Sequence, residues 1–133
     1  MTTSLVVLRT SVLLMFLLIA ITGLYVHHVT RLSADAAAQS GAAAAAQAAV
    51  AAGWQCQPTP PAEALTAAAQ ATLSHMNHLA VQPVAVEVFA DACNLFTSVT
   101  AAPLGSRVSA LHITAIACRS ATQAATLKVP GSC

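Results

Sequence analysis

The fold turns on Thr10-Ser-Val-Leu-Leu-Met-Phe-Leu-Leu-Ile-Ala-Ile-Thr-Gly-Leu-Tyr-Val-His-His-Val-Thr30 and the segment that follows Arg31-Leu32, Ser33-Ala-Asp-Ala-Ala-Ala-Gln-Ser-Gly-Ala-Ala-Ala-Ala-Ala-Gln-Ala-Ala-Val-Ala-Ala52. No proline interrupts it, so the sequence predicts one continuous helix. The first part contains no Asp, Glu, Lys or Arg. At ~1.5 Å per residue it matches the ~30 Å hydrocarbon core of a bilayer. The second part has high helix propensity, but alanine carries little transfer free energy and glutamine opposes insertion. The expectation is therefore a transmembrane helix over residues 1–30 with its short leading segment. An extracytoplasmic region follows over 31–133, in which the helix continues into water as an alanine-rich stalk.

Working outward, the 133 residues leave about 100 for everything beyond the membrane run, which is room for a single small domain. Four acidic and five basic residues are spread without runs of either sign. Such sparse charge excludes the electrostatic footprint of a nucleic-acid binder. Much of the apolar content is alanine, which buries little area per residue, so the domain needs close helix packing or covalent staples.

Cys56, Cys93, Cys118 and Cys133 all follow the apolar run, a distribution suited to disulfides in an oxidising extracytoplasmic compartment. Four cysteines allow three pairings, and spacing does not select among them. Successive separations of 37, 25 and 15 positions lack the close ligand pairs of a zinc site. The basic residues flanking the run, Arg9 before it and Arg31 after it, set orientation only through the extra charge of the amino terminus. This places the N-terminus in the cytoplasm. A cleaved signal peptide is the competing account, since Arg9 supplies a basic start and Ala34-Asp-Ala36 an A-x-A form. The run exceeds the usual ~7–15 residues of a signal peptide and the A-x-A lies well past its end, so the retained anchor is preferred.

Arg9 reads as a boundary residue that snorkels to the interface, and Tyr25 as an interfacial ring near the far end of the span. His27 and His28 are adjacent and point about 100° apart on a helix, so they do not chelate one ion together. Within the stalk, Ala37, Gly41 and Ala45 form one row of small residues at every fourth position, and Ala34, Ala38 and Ala42 form another. Rows of this kind let a second backbone approach closely, although plain alanine helix propensity would produce the same pattern.

Gly53 is placed to end the helix in a left-handed cap with Trp54 folding back on the last turn. Gln55-Cys-Gln-Pro-Thr-Pro-Pro61 forms the turn. A second helix follows with Thr59 as N-cap, prolines and Glu63 in its first turn, and an end near Leu79. His75 and His78 share a face of it, but no third ligand is signalled, and a solvated polar face accounts for them.

From Val81 the period changes to two. Val84, Val86, Val88, Ala90 and Ala92 alternate with Ala85, Glu87, Phe89, Asp91 and Cys93, which predicts a strand with one buried face. A second strand is expected over Leu95 to Ala101, a turn over Ala102 to Ser106, and a third strand within Val108 to Cys118. In the last of these, Leu111, Ile113, Ala115 and Ala117 alternate and Ile116 breaks the phase. The fold class is α+β, with a long N-terminal helix, a short second helix and a small antiparallel sheet.

That element order, with Gly23-Leu-Tyr-Val-His-His28 at the junction and Ser33-Ala-Asp-Ala-Ala-Ala-Gln-Ser-Gly-Ala-Ala-Ala44 after it, resembles the TadE-like pseudopilins of tight-adherence pilus systems. The resemblance implies a pilin-like, non-enzymatic subunit or assembly factor in the cell membrane. Its partners would be other pilin-like subunits or assembly platform proteins, and no cofactor is implied. One departure stands out. The family's early glutamate would fall near Ser4, and no acidic residue precedes Asp35, which puts prepilin processing in question.

Other function classes find little support. Asp35, Glu63, Glu87 and Asp91 are scattered, and neither a nucleophile elbow, an H-E-x-x-H motif nor a phosphate-cradling loop occurs. The alternative to an assembly subunit is a small membrane-tethered or secreted disulfide-containing module that binds an unidentified ligand.

Overall fold

The computed structural model describes residues 2–76 and 81–121. A 50-residue helix, α1 (Thr2–Ala51), carries both halves of the deciding stretch without a break. It ends where the sequence supplies a stop. Gly53 takes φ +69°, its N–H donates to Val50 O at 3.0 Å, and the Trp54 N–H donates to Ala49 O at 2.9 Å. This pair of bonds is a Schellman closure, and the Trp54 ring packs on the cluster containing Ala49.

The second helix, α2 (Ala62–Met76), starts later than Thr59. The first helical carbonyl belongs to Pro61, which accepts from Leu65 N–H at 3.3 Å. A residue before proline is disfavoured in the α region, so Pro60 is held out of the helix by Pro61, and Thr59 is too far back to cap it. Its backbone carbonyl instead accepts a hydrogen bond from Trp54 Nε1 at 3.2 Å. Leu79 and His78 lie outside the described residues.

Three strands form an antiparallel sheet in the order β1 (Val81–Asp91), β2 (Asn94–Pro103), β3 (Ile113–Ser120). Val86, Val88 and Ala90 turn toward the helices as the alternation predicts, but Val84 does not, being 48% exposed. The register explains this. Pro83 pairs with Ala101 and Ala85 with Thr100, so Val84 is the extra residue of a bulge and the side-chain phase shifts there. Pro83 lacks a ladder donor and sits on an edge strand, where such an irregularity is tolerated. In β3, Ala115 is buried and Ile116 points outward, 62% exposed. Between β2 and β3, a short 3-10 helix (Ser109–Leu111) occupies the connection.

The alanine-rich half of α1 is not a free stalk. It lies across β2 and β3 and against α2, which in turn covers β1. Ala34, Ala37, Ala38, Ala42 and Ala45 are completely buried, as are Ala64, Ala68 and Thr72 on α2. The two helices run antiparallel: Met76 joins Ala34, Ala37 and Ala38 in one cluster, while Ala64 and Ala68 join Ala45, Ala46 and Ala49 in the other. Val81, Val99, Ala101 and Ala115 complete the first cluster from the sheet, and Leu95 the second. Small side chains on both helices allow the short interaxial distance at which alanine can fill a core.

A bare helix, a stapled domain and an open sheet face

The burial pattern divides α1 near Val29. Residues 6–28 are exposed around the whole helix, with Leu13, Phe16, Leu24 and Tyr25 each about two-thirds or more exposed, whereas Thr30 is buried. The helix is long and apolar enough to cross a membrane, an 18-residue window of it reaching a mean hydropathy of 2.2. The serine and threonine hydroxyls of the bare segment are satisfied within the helix. Thr10 donates to Val7 O at 2.9 Å, Ser11 to Val7 O at 2.8 Å and Thr22 to Leu18 O at 2.8 Å. A hydroxyl bonded to its own helix loses less on transfer to hydrocarbon, so these polar residues are compatible with a lipid environment. His27 and His28 are both exposed at the end of the bare segment.

The structure brings the predicted packing residues together, but inside the chain. Ala34, Ala38 and Ala42 and the row Ala37, Gly41 and Ala45 face α2 and the sheet of the same molecule, so neither row is free to receive a helix from another. Gly41 marks a close approach. A Cβ there would lie 2.9 Å from Thr72 Oγ1 and 2.9 Å from Thr97 Cγ2. Neither Thr72 Oγ1 nor Thr97 Oγ1 makes a hydrogen bond to any described residue, although both are buried. The Thr72–Gly41–Thr97 contact was not visible in the sequence, since it joins three elements far apart in the chain.

Cys56 and Cys93 are disulfide-bonded across 37 residues, with Cα atoms 4.5 Å apart. The bond fastens the α1–α2 connection to the β1–β2 hairpin. Both ends of that clasp are sharply bent, Cys56 at φ +57° and Ala92, beside Cys93, at φ +51°. Cys118 is disulfide-bonded as well, and Cys133 lies outside the described residues.

The sheet face turned away from the helices was missed as a feature by the sequence reading. Phe89 and Phe96 stand opposite each other in the register and stack with ring centroids 5.1 Å apart and planes 2° from parallel. Cys118 is the next residue of that row and Ile116 lies in the adjoining one. Thr100 and Thr114, also cross-strand partners, share a hydroxyl hydrogen bond at 2.9 Å. Alternation along β1 and β3 carried the signal for Phe89 and Ile116; the Phe89–Phe96 pairing required the register. His75 is exposed on α2, and no group of three metal-ligating side chains occurs among the described residues.

In comparisons with known proteins, no family model matches this chain, nor does any curated protein or solved structure.

Proposed function

We propose that the chain is a non-enzymatic, membrane-anchored subunit or assembly factor of pseudopilin type, serving a tight-adherence pilus or secretion system. One observation carries the proposal: a single helix is bare and apolar over its first half and forms the core of a small disulfide-linked head over its second. A subunit built this way rests in the bilayer by its bare half and offers the same half to neighbouring helices during assembly. With the domain's alanine rows occupied by its own α2 and sheet, contacts between subunits fall to the bare segment and to the open sheet face. The N-terminus lies in the cytoplasm and the head outside, a placement supported by the position of all four cysteines beyond the span.

Photo-cross-linkers placed at Leu13, Leu17 or Leu24 in the native membrane test this proposal. Adducts with other single-span subunits or with polytopic platform proteins are expected. Recovery of the chain as a soluble form beginning near Asp35 or Ala37 would exclude a retained anchor. The alternative, a tethered or secreted binding module, draws on the stacked Phe89 and Phe96 beside the exposed Ile116. Genes for a secretion ATPase and membrane platform proteins next to this one favour the first proposal, and an isolated gene favours the second.

A further inference from the structure

The connection between β2 and β3 returns to the bare part of α1. Pro103 and Leu111 line a groove of about 460 Å³ together with Leu18, Ile19, Gly23 and Val26 of the helix. The loop is ordered by its own bonds. Ser106 N–H donates to Pro103 O at 3.0 Å around Gly105, whose φ of +77° suits a tight turn, and Gln82 Nε2 donates to Ser106 O at 3.4 Å. This rigid turn nevertheless holds Leu104 70% exposed, Val108 57% and Leu111 44%. One exposed leucine on a loop is ordinary, but three large apolar side chains gathered at the end of a domain beside a bare apolar helix form a patch that needs an occupant.

We propose that this loop is a second membrane contact: Leu104, Val108 and Leu111 enter the lipid leaflet nearest the head, and an acyl chain of that leaflet fills the groove against α1. The inference rests on α1 spanning a bilayer. Three observations select lipid as the occupant. The groove is continuous with the span, because all of the helix residues that line it except Thr30 belong to the bare segment. Its residues from Leu18 to Thr30 cover ~18 Å of helix, about the depth of one leaflet's acyl region. Charge agrees as well. Arg31 and Arg107 are exposed at this end of the head, where headgroup phosphates would meet them, and the first of the chain's four carboxylates, Asp35, comes a further turn along α1. With two points of attachment the head does not tilt freely over the surface but holds one end to the bilayer.

The test uses the full chain in vesicles of phosphatidylcholine and phosphatidylglycerol whose acyl chains carry bromine near either the carbonyl or the methyl end. Tryptophan is introduced singly as Leu104→Trp, Val108→Trp or Phe16→Trp. The native Trp54, three residues past the end of α1, lies ~30 Å beyond Thr30 and supplies an unquenched background. Leu104→Trp and Val108→Trp are expected to lose emission in brominated vesicles, more with bromine near the carbonyl end. Phe16→Trp should lose more with bromine near the methyl end. Quenching of Phe16→Trp without quenching of either loop variant overturns the inference and leaves the span intact. Red-shifted loop emission in that case means water, and blue-shifted emission means cover by protein such as a second copy. Absence of quenching at Phe16→Trp overturns the spanning helix, and the loop contact with it.

Discussion

Gly41→Ala adds one carbon at the point where α1, α2 and β2 meet, and two opposing effects decide its outcome. Replacing a mid-helix glycine by alanine favours the helix by ~1 kcal/mol. Against this, the new Cβ would lie 2.9 Å from both Thr72 Oγ1 and Thr97 Cγ2 and 3.5 Å from Ala68 O. Both threonines are fully buried and β-branched, so neither side chain turns away cheaply. Overpacking of a closed core costs ~1–3 kcal/mol, and two stiff neighbours place this site in the upper part of that range. The expected net loss is ~1–2 kcal/mol, a fall in Tm on the order of 5–15 °C for a domain this small. Thermal unfolding of the detergent-solubilised full chain, followed by circular dichroism, measures it. Gly23→Ala is the internal control, because no described residue lies within 4 Å of a Cβ there, and it should leave the domain's Tm unchanged. Adding Thr72→Ala to Gly41→Ala should recover part of the loss, since it removes one of the two colliding atoms. An unchanged or higher Tm for Gly41→Ala would refute the close approach of the helix to α2 and the sheet.

Three further outcomes are expected. Thr97→Val should raise stability by ~1–2 kcal/mol in denaturant melts, because it exchanges a buried hydroxyl that bonds to no described residue for a methyl of the same shape; a loss would mean that the hydroxyl has a partner. Replacing both Cys56 and Cys93 by serine should cost roughly 3–4 kcal/mol on the chain-entropy account of a 37-residue closure, read as a lower urea midpoint with an intact α1. Equal midpoints for the serine variant and the parent would show that the clasp is dispensable. Ala92→Gly should raise stability by ~0.5–1 kcal/mol, since relief of a positive φ outweighs glycine's added freedom when unfolded; a decrease in calorimetric Tm would contradict the hairpin geometry.

Features set by local chemistry were legible in the sequence. The uninterrupted run to Ala52, the glycine stop at Gly53 and the alternation of Val86, Val88 and Ala90 each depend on neighbours within a few residues, and each is present. The exceptions have local causes that outweigh a simpler signal: Pro61 constrains Pro60 and so removes Thr59 from the cap position, and the bulge after Pro83 reverses Val84. What covers the alanine rows was not legible. Small residues at every fourth position say only that something approaches closely, and a helix of the same chain satisfies them as well as a helix of another. The pairing of Cys56 with Cys93 and the stacking of Phe89 on Phe96 likewise depend on contacts between elements distant in the chain.

The unbroken course of α1 makes the bare apolar segment and the head a single shaft. Between Val6 and Ala51 the helix has no proline, and hinge motion at Val29 would break the backbone hydrogen bonds that carry it from the bare half into the core. Rotation of the bare segment about its axis therefore turns the sheet by the same angle. One alanine inserted between His28 and Val29 would rotate the Phe89–Phe96 face by ~100° and raise it by ~1.5 Å relative to the bare half, keeping the packing of residues beyond Val29 on α2 and the sheet while moving Pro103 and Leu111 off their groove on the bare segment. A neighbour that packs on the lower helix thereby determines which way the aromatic face looks ~30 Å away, and cross-links from Phe89 should change partner on insertion while those from Phe16 do not.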